Sequence, residues 1–176
     1  MFVWIGSKLP ETFETELRRH CLMLNEHIGL DTTAFSLPQH ISLKISFETD
    51  RPAEILTFLE QYLSSQQPFS VTLHAPEQMG NILWLPVAEQ PVLQWLHNEL
   101  DRRLEKHFSI PQHAFDQDFR FHSTLFIDPD PGKITQMKDL LSGSSFPREV
   151  KVDTFLLGAS ENGAPGSYRV LREIKV

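Results

Sequence analysis

The chain has 176 residues, of which 40% are hydrophobic, and its 16 basic and 23 acidic side chains give a formal net charge of −7. This length and composition predict one domain, residues 1–176, with a core large enough to fold alone. The negative charge argues against an extended nucleic-acid groove, because tight binding to a long nucleic acid requires many Lys and Arg contacts with phosphates.

Cysteine usage and hydropathy indicate the compartment. The one cysteine, Cys21, excludes an internal disulfide, and no histidine–cysteine cluster suggests a zinc site. Residues 2–5 are apolar but are followed by polar residues and Pro10, and no segment is apolar for long enough to cross a bilayer. We therefore expect a cytoplasmic protein with no membrane partner, and we expect it to be a monomer.

The predicted elements alternate between strand and helix in both halves of the chain. In the first half they are a strand at residues 2–9, a helix from Pro10 to about Asn25, a strand at 40–47, a helix whose N-cap is Asp50, and strands at 69–74 and 81–87. In the second half they are a helix from about 90 to 107, a loop at 109–118, a strand at 121–127, a short helix around 134–141, and strands at 150–157 and 168–176. This pattern predicts an α+β fold with two lobes, each a mostly antiparallel sheet with outer helices.

Two predicted strands carry the same tetrapeptide pattern, His-x-Ser/Thr-Leu. The first copy is His40 to Leu43 and the second is His122 to Leu125, so the two histidines stand 82 residues apart, about half the chain. A third His-x-Ser occurs at His107 to Ser109, but it follows a helical pattern and precedes a proline, which predicts a helix end. We therefore expect each lobe to supply one functional copy.

Alternation in a strand places the polar side chains of each copy on one face. Ser42 and Lys44 then share a face with His40, and Thr124 and Phe126 share a face with His122. If the two strands lie side by side, two imidazoles and two hydroxyls converge on one small volume. Such a cluster suits phosphate-ester chemistry, because imidazoles exchange protons near neutral pH and hydroxyls donate to phosphate oxygens.

With these two motifs the chain resembles the 2H phosphoesterase superfamily, which includes 2′-5′ RNA ligase-like proteins and 2′,3′-cyclic nucleotide phosphodiesterases. Met1 to Pro10 is similar to the opening strand of that family, and Tyr168 to Val176 is similar to its closing strand. Ser42 stands where threonine is commoner. The resemblance implies two pseudo-symmetric lobes around a central cleft, with His40 as general acid and His122 as general base.

Cleavage of a cyclic phosphate ester requires a base for water, an acid for the leaving alkoxide and donors for the charge on the phosphoryl oxygens. Two histidines and the hydroxyls of Ser42 and Thr124 meet these needs, so we expect no metal and no cofactor. The expected substrate is a small nucleotide or an RNA end.

Four further residues are candidates for substrate binding. Lys44 lies two residues after Ser42, and Arg120 lies two residues before His122, so alternation predicts each on the face of its motif. Either could stabilise phosphate charge or simply face solvent. Phe126 could line a base pocket. Tyr168 matches a family tyrosine and could stack on a base or pack in the core.

Two other interpretations keep less of this chemistry. A nucleotide- or RNA-end-binding protein of the same fold would use the histidines only to hold phosphate, although Arg or Lys would serve that purpose more simply. A purely structural domain would make the double motif a coincidence.

Overall fold

The computed structural model describes residues 1–176 and contains four α-helices and nine β-strands. The strands of the first half are β1 (Phe2–Lys8), β2 (His40–Glu48), β3 (Phe69–Leu73), β4 (Glu77–Met79) and β5 (Ile82–Pro86). Those of the second half are β6 (His122–Ile127), β7 (Arg148–Val152), β8 (Thr154–Ser160) and β9 (Arg169–Lys175). The helices are α1 (Glu11–Asn25), α2 (Pro52–Leu63), α3 (Pro91–Phe108) and α4 (Pro131–Leu141). No helix is both long and apolar enough to cross a membrane.

Each lobe has an antiparallel sheet with the motif strand at one edge. The first sheet has the order β2-β1-β8-β9. In the second lobe β5 pairs with β6, β3 pairs with β7, and short β4 also pairs with β5. Two backbone hydrogen bonds, from His74 N to Pro86 O and from Ala88 N to Thr72 O, join β3 to the end of β5. The predicted α+β class with antiparallel sheets is confirmed.

The helices form for local reasons that the sequence displays. Leu93, Leu96, Leu100 and Leu104 recur at helical spacing on α3, and all four are buried. The helix ends at Ser109, which adopts the left-handed conformation (φ 56°) typical of a helix terminus. The third His-x-Ser is therefore a helix end, as predicted. A single cluster of 32 buried residues draws on all four helices and on both sheets.

Three element predictions were wrong in detail. The predicted strand at 150–157 is two strands, because Val152 pairs with β3 in one sheet and Thr154 pairs with β9 in the other. The chain changes sheets at this point, and a continuous apolar run does not reveal such a change. Strand β4 is polar and three residues long, so periodicity missed it. The N-cap of α2 is Arg51, one residue after the predicted Asp50.

Both motif strands contain a β-bulge at the leucine that ends the histidine motif. Gly6 on β1 pairs with Ser42, but the preceding residue, Ile5, pairs with Lys44. Leu43 is therefore an additional residue without a partner on β1. In the second lobe Trp84 pairs with Thr124, and the preceding residue, Leu83, pairs with Phe126. Leu125 is therefore the additional residue of β6. A bulge shifts the alternation of side chains by one position, so residues beyond it point to the opposite face.

Candidate active site

The two motif strands, β2 and β6, lie in contact with each other without pairing as neighbours in a sheet. A buried hydrogen bond joins them, because Ser123 Oγ donates to Gln39 Oε1 over 2.9 Å. Gln39 directly precedes His40 and Ser123 directly follows His122, so this bond holds the two motifs at one level. Burial lowers the pKa of His40, and the charge of His122 lowers it further.

Each imidazole is oriented by the backbone carbonyl two residues before it. The Nδ1 atoms of His40 and His122 lie 2.7 Å from the carbonyl oxygens of Pro38 and Arg120, respectively. A carbonyl oxygen only accepts hydrogen bonds, so each Nδ1 carries the hydrogen. Each Nε2 atom is then left for a substrate, as a base when the ring is neutral and as an acid when it is protonated.

The electrostatics favour at most one charged ring. Burial lowers the pKa of His122, as it does that of His40, and the carbonyl hydrogen bonds oppose this effect only in part. The charge of His122 also acts against protonation of His40, although less strongly than burial does. One neutral and one protonated imidazole is the state that general acid–base catalysis requires.

The two motif hydroxyls lie where alternation predicts them. Ser42 and Thr124 are two residues beyond the histidines, before either bulge, and both are half-buried. The neighbouring histidine rings and Ser123 have hydrogen-bond partners within the protein, whereas these two hydroxyls have none. Both hydroxyls are therefore free to donate to a phosphate held between the histidines.

A cavity of about 510 Å³ opens beside His122. This is within the size range of small-molecule sites. Trp84, Phe119 and Phe121 contribute aromatic surface to its wall, and Arg120 is its cationic side chain. Its acidic lining residues are Glu77, Glu89 and Asp118. Arg120 therefore lines the same cavity as the histidine, although it lies just outside β6.

Lys44 is the first correction to the predicted site. Its side chain does not share the face of His40 and is buried, with the residue only 3% exposed. The ammonium forms ion pairs with Asp101 and with Asp116, whose Oδ2 is 2.8 Å from Nζ. The bulge at Leu43 is the physical reason, because it turns position 44 into the protein.

Phe126 is the second correction, with the same cause. It occupies the position in β6 that Lys44 occupies in β2, beyond the bulge at Leu125. The side chain is fully buried and meets the ring of Phe35 edge-on, with centroids 5.1 Å apart. It belongs to the core and cannot line a base pocket.

Tyr168 precedes β9 and reaches across the first sheet. Its hydroxyl donates to Ser46 Oγ on β2 over 2.9 Å. The strands β8 and β1 lie between these two residues in the order of the sheet. This bond gives the hydroxyl a structural partner at the far edge of the sheet.

One cluster has side chains of the types that bind metal ions. His97, Asp101 and Asp116 are buried, with potential ligand atoms within 4.8 Å of one another. The Lys44 ammonium already pairs with both carboxylates of this cluster. Because a fixed cation already pairs with both acids, the cluster fits a buried ion-pair network and not a metal site.

Sequence reasoning missed two tryptophans that contact the histidines. The ring centroids of Trp4 and His40 are 4.6 Å apart, and those of Trp84 and His122 are 4.2 Å apart. Both tryptophans were placed in strands, but only the register between strands reveals which side chains meet. That register depends on tertiary packing and cannot be read from one strand.

A sequence model of the 2′-5′ RNA ligase superfamily matches residues 15–164. The chain belongs to this superfamily. The match spans both histidine motifs, and it confirms the resemblance to the 2H phosphoesterases. No match was found among curated protein sequences.

Solved structures show the fold of the superfamily over the entire chain. TT0787 of Thermus thermophilus has a TM-score of 0.71 and 19% identity, with 99% of this chain and 97% of that chain covered. Escherichia coli LigT complexed with ATP has a TM-score of 0.64 and 18% identity, with 99% and 97% covered. Usb1 of Kluyveromyces marxianus has a TM-score of 0.53 and 8% identity, with 99% and 98% covered. Superfamily membership and fold support a LigT-like phosphoesterase.

Proposed function

We propose that this protein is a metal-independent phosphodiesterase that cleaves a 2′,3′-cyclic phosphate or a 2′-5′ linkage in a nucleotide or at an RNA end. The observation that carries the proposal is the pair of imidazoles, each held by a carbonyl at Nδ1 and followed by a hydroxyl without a protein partner. Superfamily membership supports the same class of reaction.

For a cyclic phosphate the reaction would run as follows. The neutral imidazole takes a proton from water at Nε2, and the water oxygen forms a bond to phosphorus. The bond from phosphorus to one ribose oxygen breaks, and that oxygen receives the proton of the imidazolium. Ser42 and Thr124 donate to the nonbridging oxygens, where negative charge increases. We assign His40 as the acid and His122 as the base, following the family.

The cavity beside His122 would take the nucleoside. Its aromatic wall suits a base, and Arg120 is placed to meet a phosphate or ribose oxygen. A panel containing a 2′,3′-cyclic nucleotide, a 2′-5′ dinucleotide and a 3′-5′ dinucleotide tests the proposal by product chromatography. Turnover of either of the first two supports it. Tight binding without turnover would instead favour the nucleotide- or RNA-end-binding alternative.

We expect kcat/KM to pass through a maximum on the acid side of about pH 6.5. Acid and base must be in opposite protonation states, so the optimum falls between the two macroscopic pKa values of the free protein. Burial lowers both pKa values below the ordinary histidine value of 6.5, which moves the optimum in the same direction. A rate profile from pH 4 to 9 checks this, and an optimum well above pH 7 would contradict the assignment.

The rates should also persist in excess EDTA, because protein groups supply the acid, the base and the phosphate donors.

Binding should depend only weakly on salt. The cavity has one cation, Arg120, against three acidic side chains, so it can neutralise one or two phosphates at most. With a log-log slope of about −0.7 per phosphate for single strands, we expect a slope of roughly −1. The dissociation constant of a mononucleotide and of a long single-stranded RNA, measured with a histidine variant across a salt series, checks this. A steep slope together with much tighter binding of the long RNA would indicate an extended basic groove.

A further inference from the structure

Each of the two histidines packs against a tryptophan from the neighbouring strand of its own sheet. Trp4 on β1 lies against His40, and Trp84 on β5 lies against His122. Both are more than nine-tenths buried, with 6% and 7% of the surface exposed. The third tryptophan of the chain, Trp95, is exposed on α3. The two buried tryptophans thus accompany the two histidines.

The two contacts do not come from equivalent positions of the two lobes. Lys8 pairs with His40 as Pro86 pairs with His122, and Gly6 pairs with Ser42 as Trp84 pairs with Thr124. The residue of the first lobe that is equivalent to Trp84 is therefore Gly6, and Trp4 precedes Gly6 by two residues on β1. Since the lobe symmetry relates Trp84 to a glycine, it does not explain why both histidines contact an indole.

Gly6 provides the path by which Trp4 reaches His40. A Cβ atom at Gly6 would lie 2.7 Å from Trp4 Cζ3 and 3.0 Å from His40 Cδ2. A Cβ atom at Gly158, on the other neighbouring strand, would overlap the Nε1 end of the same indole. The absence of side chains at Gly6 and Gly158 therefore leaves the space that the Trp4 indole occupies. The indole lies over the sheet and extends from β8 towards His40.

Stability alone does not account for two indoles here. Both Nε1 atoms are buried without a hydrogen-bond partner, an arrangement that costs free energy and that phenylalanine would avoid. Neither tryptophan belongs to the cluster of 32 residues that forms the main core. Departures from the rule that buried polar groups are paired are expected where function requires them.

We propose that Trp4 and Trp84 are positioning residues for the acid–base pair: each indole fixes the plane of one imidazole and shields it from water. The hydrogen bond at Nδ1 holds one point of the ring but still allows the ring to tilt about that point. A flat, rigid indole against the imidazole removes this freedom and leaves Nε2 aimed at the substrate. Their effect on turnover rests on the proposed function, whereas their effect on the histidines can be measured without it.

Shielding also fits the direction of the pKa changes at the two histidines. Burial is the largest influence and lowers both pKa values. The π face of an indole would attract an imidazolium and act the other way, but here desolvation outweighs that attraction. Removal of one indole should therefore let water reach its own histidine and raise the pKa of that ring.

Other charged groups near the two rings remain in place when an indole is removed. Lys8 pairs across from His40 in the register and is neutralised by Glu173, 3.0 Å away. The charged groups that line the cavity of His122 are Glu77, Glu89, Asp118 and Arg120. A change in titration confined to one histidine can then be attributed to its tryptophan.

The test compares Trp4→Ala and Trp84→Ala by titrating the histidine ring protons in NMR spectra, with His40→Ala and His122→Ala used to assign the signals. We expect Trp4→Ala to raise the pKa of His40 more than that of His122, and Trp84→Ala to do the reverse. Circular dichroism and thermal melting establish that each variant is folded. Equal shifts at both rings, or no shift at either in a folded variant, would overturn the proposal.

Turnover provides the second measurement. We expect each alanine variant to lose about 10²-fold in kcat, because a misaligned acid or base affects the chemical step. KM should change less than kcat in Trp4→Ala, whereas Trp84→Ala also removes part of the cavity wall and should raise KM. Trp4→Phe and Trp84→Phe retain a flat ring and should recover most of kcat. Recovery that is no better with phenylalanine than with alanine would count against the positioning role.

Gly6→Ala tests the same contact with both rings retained, and it remains informative if a tryptophan variant fails to fold. The added methyl group must displace Trp4 or His40, so we expect kcat to fall. Gly143→Ala is the matched control, since a Cβ atom there meets nothing within 4 Å. If wild-type protein turns over no substrate, the proposed function fails, and the titrations still decide whether the indoles control the two imidazoles.

Discussion

The His122→Ala variant is expected to lose about 10²–10⁴ in kcat, the usual cost of removing a positioned acid or base. In the proposed reaction the ring accepts the proton of the attacking water, and no other imidazole lies at this position. His40→Ala should lose a similar factor, because the leaving alkoxide would then depart without a proton. Both side chains are half-buried and not part of the core, so both variants should stay folded.

His107→Ala is the matched control, because it removes the exposed histidine of the third His-x-Ser and should leave kcat unchanged. The double variant His40→Ala with His122→Ala adds a sharper condition. Groups that act as one unit in catalysis have non-additive effects, so the second removal should cost much less than the first. Strictly multiplicative losses, or wild-type turnover in either single variant, would contradict a mechanism in which the two rings act together as acid and base.

The parts of the site that sequence predicts well depend on local rules. Helices α1 and α3 were placed within about one residue, because apolar spacing, proline at the first turn and polar caps are properties of short segments. The prediction that each histidine shares a strand face with its hydroxyl rests on the same kind of rule. Only one residue stands between each histidine and its hydroxyl residue, and strand alternation holds over that distance.

The wrong and missed predictions concern residues whose positions depend on pairing between strands. Lys44 and Phe126 follow a bulge, and whether a strand has a bulge depends on the partner strand opposite it. Trp4 and Trp84 meet the histidines through register between strands, and Gly6 matters only because an indole crosses it. None of these relations is a property of a single segment, so no periodicity could have revealed them.

The network around Lys44 leads to the second large effect. The ammonium is buried between Asp101 and Asp116, and Asp116 also accepts a hydrogen bond from the His113 backbone N over 2.8 Å. His97 lies between the carbonyl oxygens of Leu43 and Asp116, at 2.8 and 3.0 Å. The network thus connects the first motif strand to the loop that precedes the second motif.

We expect Lys44→Met to reduce the free energy of unfolding by about 3–5 kcal/mol, the usual cost of breaking a buried ion pair on one side. Two buried carboxylates would lose the cation that pairs with both of them. Lys8→Met is the matched control, since it removes a lysine from the partly exposed pair with Glu173 and should cost no more than about 1 kcal/mol. Denaturant unfolding of the two variants beside wild type measures the difference.

The pH dependence of this loss identifies its cause. Burial raises the pKa of Asp116, but hydrogen bonds from Lys44 and the His113 backbone outweigh it, so the pKa lies below the ordinary 3.8. A lowered pKa in the folded state contributes stability above about pH 4 that is lost as the pH falls. Without Lys44 the carboxyl binds a proton more readily in the folded state, so the variant should approach wild-type stability as the pH is lowered towards 4. A difference in stability from wild type that stays constant between pH 7 and pH 4 would assign the loss to packing of the lysine stem, not to unpaired charge.

The Lys44→Met variant should also raise KM, because the loosened loop carries Phe119 and Arg120, which form part of the cavity wall beside His122.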